Sequence, residues 1–152
     1  TCHGEDGNSR VADTPSLAGQ PEFFVMNQRE GVRRVEAMAA LVKELSDDEL
    51  NGLAKHYAGL ASRASDEPID PALVERGAPL AQTLRCGSCH LPTMAGQDQM
   101  PRLAKQRVDY LITAMKALRD NQRAGADTQM SSILAGLSDA DLAALAHFTT
   151  SR

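Results

Sequence analysis

Residues 86–90 read Cys-Gly-Ser-Cys-His, a C-x-x-C-H pattern. Two thiols three positions apart on one helical turn can both reach the vinyl groups on one edge of a porphyrin. The next residue, His90, then points its imidazole at the iron from below. In this reading Cys86 and Cys89 attach a c-type haem and His90 is its proximal ligand. Two such thiols could also be half of a zinc site or a redox-active dithiol. Zinc needs a second ligand pair, and the sequence has no second C-x-x-C and no H-x₃₋₅-H. A thioredoxin-like dithiol sits in a βαβ pattern, and no strand pattern is present. Three cysteines make a poor disulfide framework. The remaining one, Cys2, stands before His3 and Gly4 as the tail of a second such motif would.

That tail gains weight because the chain repeats. His3 aligns with His90, Pro15-Ser16-Leu17-Ala18-Gly19-Gln20 with Pro101-Arg102-Leu103-Ala104-Lys105-Gln106, and Phe24 with Tyr110. Leu45-Ser46-Asp47 then aligns with Leu137-Ser138-Asp139, and Leu50 and Leu53 with Leu142 and Leu145. Ser46 and Ser138 are good helix N-caps, followed by acidic residues that suit the positive end of a helix dipole. Leu45 and Leu137 precede the caps as a hydrophobic staple does. Asp70 and Pro71 predict a helix running to about Leu84 that leads the second copy. Applied backwards, the repeat places the matching helix and a first cysteine before Thr1. The first copy is also shorter between Gln20 and Met38, where Arg29, Arg33 and Arg34 read as a solvated face.

An iron with one histidine needs a sixth ligand or an open site. Methionine is a soft thioether suited to haem iron, although core filler is its commoner role. The chain has six, at 26, 38, 94, 100, 115 and 130. Only Met38 and Met130 coincide in the repeat, each seven residues before its Leu-Ser-Asp, and they are the expected sixth ligands. Met26 falls opposite Ile112 and reads as filler. His56 and His147, in the final helices, are the less favoured bis-histidine alternatives. The carbonyls of Pro15 and Pro101 are placed to orient the Nδ1–H of His3 and His90. Gln20 and Gln106 are open to three roles: capping the next helix, touching the haem edge, or solvated polar residues. Arg102 could pair with a haem propionate.

The 152 residues carry 16 Lys and Arg against 20 Asp and Glu, a formal charge of -4. With no basic stripe interleaved with aromatics, nucleic acid is excluded as the expected partner. No apolar run approaches the ~20 residues that span a bilayer. No export signal is visible; the chain opens on Thr-Cys-His-Gly, and a processed or clipped start would hide one. Residues 61–70 are polar, contain Pro68 and have no period, so they read as a linker between a domain at 1–60 and a domain at 71–152. No Trp, two Tyr and three Phe are few for two small cores. An enclosed haem would supply the missing bulk, and the domains are expected to fold poorly without it.

The order C-x-x-C-H, P-x-L-A-x-Q, Tyr or Phe, Met, L-S-D, given twice, resembles the dihaem cytochromes c of the cytochrome c4 type, over essentially the whole chain. The resemblance implies an all-α fold of two tandem cytochrome c-like domains, each wrapped around one covalently bound haem c. It implies His3 and Met38 as ligands of the first iron and His90 and Met130 of the second. It also implies a periplasmic electron carrier, free or membrane-associated, and not an enzyme. Its partners would be redox proteins: a dehydrogenase or cytochrome complex as donor, an oxidase or another cytochrome as acceptor. The alternatives are a cytochrome subunit of a dehydrogenase complex, and a haem enzyme or sensor with one open iron site. This sequence departs from the family in its first domain, which has Cys2 but no first cysteine.

Overall fold

The caps read from the sequence are formed. In the computed structural model, which describes residues 2–27, 36–123 and 128–152, Ser46 Oγ accepts from the Glu49 amide and Ser138 Oγ from the Asp141 amide. The Glu49 and Asp141 carboxylates accept the cap amides in return, which closes a capping box in each copy. Those boxes start α3 (Asp47–Gly59) and α8 (Asp139–Thr150). Asp70 accepts from the Ala72 amide at 2.9 Å and, with Pro71 in first position, starts α4 (Pro71–Thr83). The other helices are α1 (Glu22–Met26), α2 (Glu36–Lys43), α5 (Cys86–His90), α6 (Val108–Arg119) and α7 (Thr128–Leu134). Among the described residues there is no strand, only an isolated bridge between Gln97 and Met100. Thr1, Arg29, Arg33 and Arg34 lie outside the described residues.

The duplication is written in the backbone as well as in the letters. Left-handed φ angles recur at matching positions: Gly4 (82°) with Leu91 (66°), Gly7 (74°) with Met94 (57°), Gly19 (68°) with Lys105 (56°). The carbonyl of Gly7 accepts from the amides of Leu17 and Ala18, and that of Met94 from Leu103 and Ala104. One loop conformation therefore serves both copies. The first uses glycine where φ is positive, and the second tolerates side chains there.

Helix α4 packs across α8, and α6 packs on α8 and α7. The core between them holds Ala81, Met94, Ala104, Leu134, Leu142, Leu145 and Phe148. Gly77 allows the α4–α8 crossing, since a Cβ there would meet Phe148 Cβ at 2.7 Å. In the first half α1 packs on α3 through Phe24, Val25 and Ala54. Leu53 is 38% exposed where its counterpart Leu145 is 2% exposed, because among the described residues nothing lies on α3 as α4 lies on α8.

Residues 61–70 are tied at both ends: Ala61 and Arg63 bond to Asn8, and Asp66 and Glu67 meet the start of α6. The Glu67 carboxylate accepts from the Val108 amide at 2.7 Å and the Asp109 amide at 2.9 Å, so it caps α6 from 41 positions away. Arg107, nearly buried, pairs with Asp66 at 2.9 Å and with Asp109 through two parallel bonds. Burial pushes the Asp109 carboxyl up, but the bonds from Arg107 and two backbone amides bring it below its ordinary value. The composition shows these residues as polar; it does not show that Glu67 is used as a cap.

Candidate functional site

Arg85 takes a left-handed conformation (φ 55°), so α5 starts afresh at Cys86 and presents Cys86, Cys89 and His90 within one turn. Both thiols are free and half-buried. Burial pushes the Cys86 thiol up, which keeps it protonated at neutral pH. His90 is 4% exposed, and its Nδ1 lies 2.9 Å from the Pro101 carbonyl oxygen. A carbonyl only accepts, so Nδ1 carries the proton and Nε2 the lone pair. Gly96 lets this stretch of backbone approach closely: a Cβ on it would lie 2.5 Å from Pro101 C, Met100 O and Arg102 N.

The first half builds the same arrangement. His3 Nδ1–H donates to the Pro15 carbonyl at 2.8 Å, which leaves the lone pair on Nε2 again. Cys2, beside it, is an exposed free thiol, and its carbonyl accepts from Ser9 Oγ at 3.0 Å.

Met130 lies on α7 and packs against the same core cluster as Cys86. Met38 lies on α2 and is half-buried. Each Met thus sits on a short helix of its own, and a loop then leads to the Leu-Ser-Asp cap. Met94 is core, Met115 packs between two core clusters, and Met26 packs beside Phe24 and Val25. His147 Nδ1 accepts from the Asp70 amide at 3.1 Å, which ties it to the start of α4. His56 stacks edge-on with Tyr57.

Gln20 and Gln106 hold the largest surprise. Both are 2% exposed, and each reaches into the other half. Gln106 Oε1 accepts from the Ser16 amide at 2.7 Å, and Gln106 Nε2 donates to the Ser16 carbonyl at 2.9 Å. Gln20 Oε1 accepts from the Arg102 amide at 2.9 Å, and Gln20 Nε2 donates to the Arg102 carbonyl at 3.1 Å. Ser16 and Arg102 are themselves matching positions. A glutamine kept at the same place in both copies was the available signal; no reading of one copy reveals that its partner is the other. Asp13 adds to the join, donating its amide to Asp109 and accepting from Thr113 Oγ1.

Arg102 is 4% exposed, donates through Nε to Ala18 O at 3.0 Å and through Nη1 to Ala104 O. Its Nη2 is buried without a hydrogen-bond partner. Burial pulls the guanidinium down to about 10, the mark of a cation lacking a counter-charge. The residues therefore fit a haem: thiols for the thioethers, imidazoles with Nε2 as donor, a methionine thioether packed on the same core as Cys86, and a buried cation suited to a carboxylate. They fit zinc poorly, since among the described residues no three His, Cys, Asp or Glu side chains are grouped so that they could hold a metal ion. The first half offers one thiol where the second offers two.

Cytochrome c4 of Pseudomonas aeruginosa is 34% identical over 162 residues, covering 97% of this chain and 80% of the relative. This chain belongs to the cytochrome c4 family. The family model described as Cytochrome c matches residues 74–151, which hold C-x-x-C-H and Met130. Reduced recombinant cytochrome c4 from Pseudomonas stutzeri has the same fold, with a TM-score of 0.88 and 28% identity over 98% of this chain and 90% of that one. A thiosulfate dehydrogenase from Marichromatium purpuratum contains a similar region, with a TM-score of 0.79 and 26% identity over 98% of this chain and 35% of that one. As a cytochrome c4 this protein is an all-α electron-transfer protein of two cytochrome c-like domains, not an enzyme, and its cofactor is haem c, two haems to the chain.

Proposed function

We propose that this cytochrome c4 carries electrons between redox proteins in the periplasm through two His/Met-ligated haems, one in each of two domains, 1–60 and 71–152. His3 and Met38 would ligate the first iron, His90 and Met130 the second. Cys86 and Cys89 would form two thioethers, and Cys2 one. Haem iron supplies a reversible one-electron couple when bound, and methionine ligation raises its potential. The chain's own residues do the rest. The Pro15 and Pro101 carbonyls accept hydrogen bonds from Nδ1–H, which fixes each imidazole's tautomer and angle. Arg102 would offer a buried positive charge to a haem propionate.

The observation that carries this reading is the doubled bond from His Nδ1 to a proline carbonyl, at 2.8 and 2.9 Å. A histidine held so in two separate copies is prepared to donate from Nε2. No helix among the described residues is long and apolar enough to cross a membrane, which accords with a carrier that is free or attached by other means. The likeness to a thiosulfate dehydrogenase favours a second role, as a cytochrome subunit beside a dehydrogenase that feeds it electrons.

A pyridine haemochrome assay with intact mass should give two haems per chain. Reduced protein should bind no CO at neutral pH, and full CO binding would instead establish an open iron site. Met130→Ala should lower one reduction potential and remove that haem's sulfur-to-iron band in the near infrared. An unchanged band would show that another residue ligates.

A further inference from the structure

Each glutamine of the join meets the peptide group that orients the other half's histidine. The Pro15 carbonyl accepts from His3 Nδ1, and the amide of the same peptide unit, at Ser16, donates to Gln106 Oε1. The Pro101 carbonyl accepts from His90 Nδ1, and the Arg102 amide of that unit donates to Gln20 Oε1. Two relays result, His3–peptide–Gln106 and His90–peptide–Gln20, each crossing from one half to the other. A peptide is a resonance-coupled dipole: an acceptor drawing on its N–H makes its carbonyl a stronger acceptor. A stronger acceptor draws the Nδ1 proton further from the imidazole and makes Nε2 the better electron donor. A better donor ligand favours the oxidised iron and lowers the potential. Gln20, Gln106, Ser16 and Arg102 are buried, so water does not compete for the amide end of either peptide group.

We propose that Gln106 is a positioning and tuning residue for the haem ligated by His3, and Gln20 for the haem ligated by His90, so that each half sets the potential of the other. This rests on the histidine ligands proposed above. No bond is made or broken in the relay; the glutamines shift electron density through hydrogen bonds alone.

The crossing makes the idea separable from a mere loosening of the interface. Gln106→Met and Gln20→Met keep length and apolar bulk but remove the amide. In a redox titration of the two-haem protein, the waves are assigned by the paramagnetically shifted NMR signals of the His3 and His90 rings. Gln106→Met should raise the potential of the His3 haem alone and move that ring's Nδ1–H signal. Gln20→Met should do the same for the His90 haem alone. Upward shifts in the variant's own half, equal shifts in both haems, or no shift in either would overturn the proposal. If a methionine variant fails to hold haem, Gln106→Glu and Gln20→Glu decide. They keep an acceptor oxygen, so the opposite haem's potential should stay or fall, and a rise there would count against the relay. His3→Gly and His90→Gly test the ligand reading separately: a low-spin haem that survives in either shows that the ligand was misassigned, whatever the glutamines do.

Discussion

A Cβ built on Gly77 would stand 2.2 Å from the carbonyl oxygen of Ala144. Real side chains never approach backbone so closely, and the obstacle is main chain, which cannot swing aside. Gly77→Ala should therefore force α4 away from α8, costing about 2–3 kcal/mol by the usual price of overpacking. Gly52 stands where α8 has Ala144, yet beyond its own helix turn no atom of the described residues lies within 4 Å of its built Cβ. Gly52→Ala should stabilise α3 by ~0.5–1 kcal/mol. Denaturant midpoints of the two variants should move in opposite directions.

Leu91 holds φ 66° and ψ 155°, a region that suits glycine, and the first copy has Gly4 in its place. The strain is worth ~1–3 kcal/mol. In Leu91→Gly its relief should offset the loss of a half-buried side chain, leaving stability within about 1 kcal/mol of the parent. Leu91→Ala keeps the strain and loses the side chain, so it should be the less stable of the two. Thermal melts of both variants check the order.

Glu67 caps α6 from residues that also connect the two halves. Glu67→Ala should cost about 1–2 kcal/mol, the range of a lost cap. It should also free residues 61–70, so limited proteolysis should cut there faster than in the parent. Cleavage at an unchanged rate would mean that Arg107 and Asp66 hold the segment without it.

Asp141 accepts from Ser138 and from Arg76, and these bonds hold its carboxyl at about 2 against an ordinary 3.8. The folded value is the lower one, so the contribution is complete above about pH 4 and drains away as pH falls toward 2. Acid should loosen the α8 N-terminus, and with it the tie to α4. Asp141→Asn should lower the melting temperature near neutral pH, and the gap to the parent should close in acid.

Much of this was legible in the letters. C-x-x-C-H, the Ser46 and Ser138 caps and the helix after Asp70 depend on residues a few positions apart, the proline carbonyls on residues 12 and 11 apart, and chemistry close in sequence decides them. Repetition added Cys2 and His3, which no local pattern would have raised. The destination of Gln20 and Gln106 was not legible, because it lies 82 and 90 residues away and depends on how the halves are turned toward each other. The Glu67 cap was hidden for the same reason: a carboxylate in an irregular polar stretch does not announce which amides it meets. Arg102 lay between the cases. Its pairing with a propionate was raised from sequence, but only its burial and its vacant Nη2 gave that idea physical content.

The crossed glutamines have a consequence for ancestry and assembly. Each copy supplies the side chain and also the backbone that receives it, so the surface is self-complementary about a two-fold axis. That is the geometry of a homodimer, with both protomers here fused into one chain. A unit bearing P-x-L-A-x-Q carries both the glutamine and the backbone groups that the crossed bonds use. Joining the two copies by residues 61–70 then replaces an encounter that depends on concentration with one that does not.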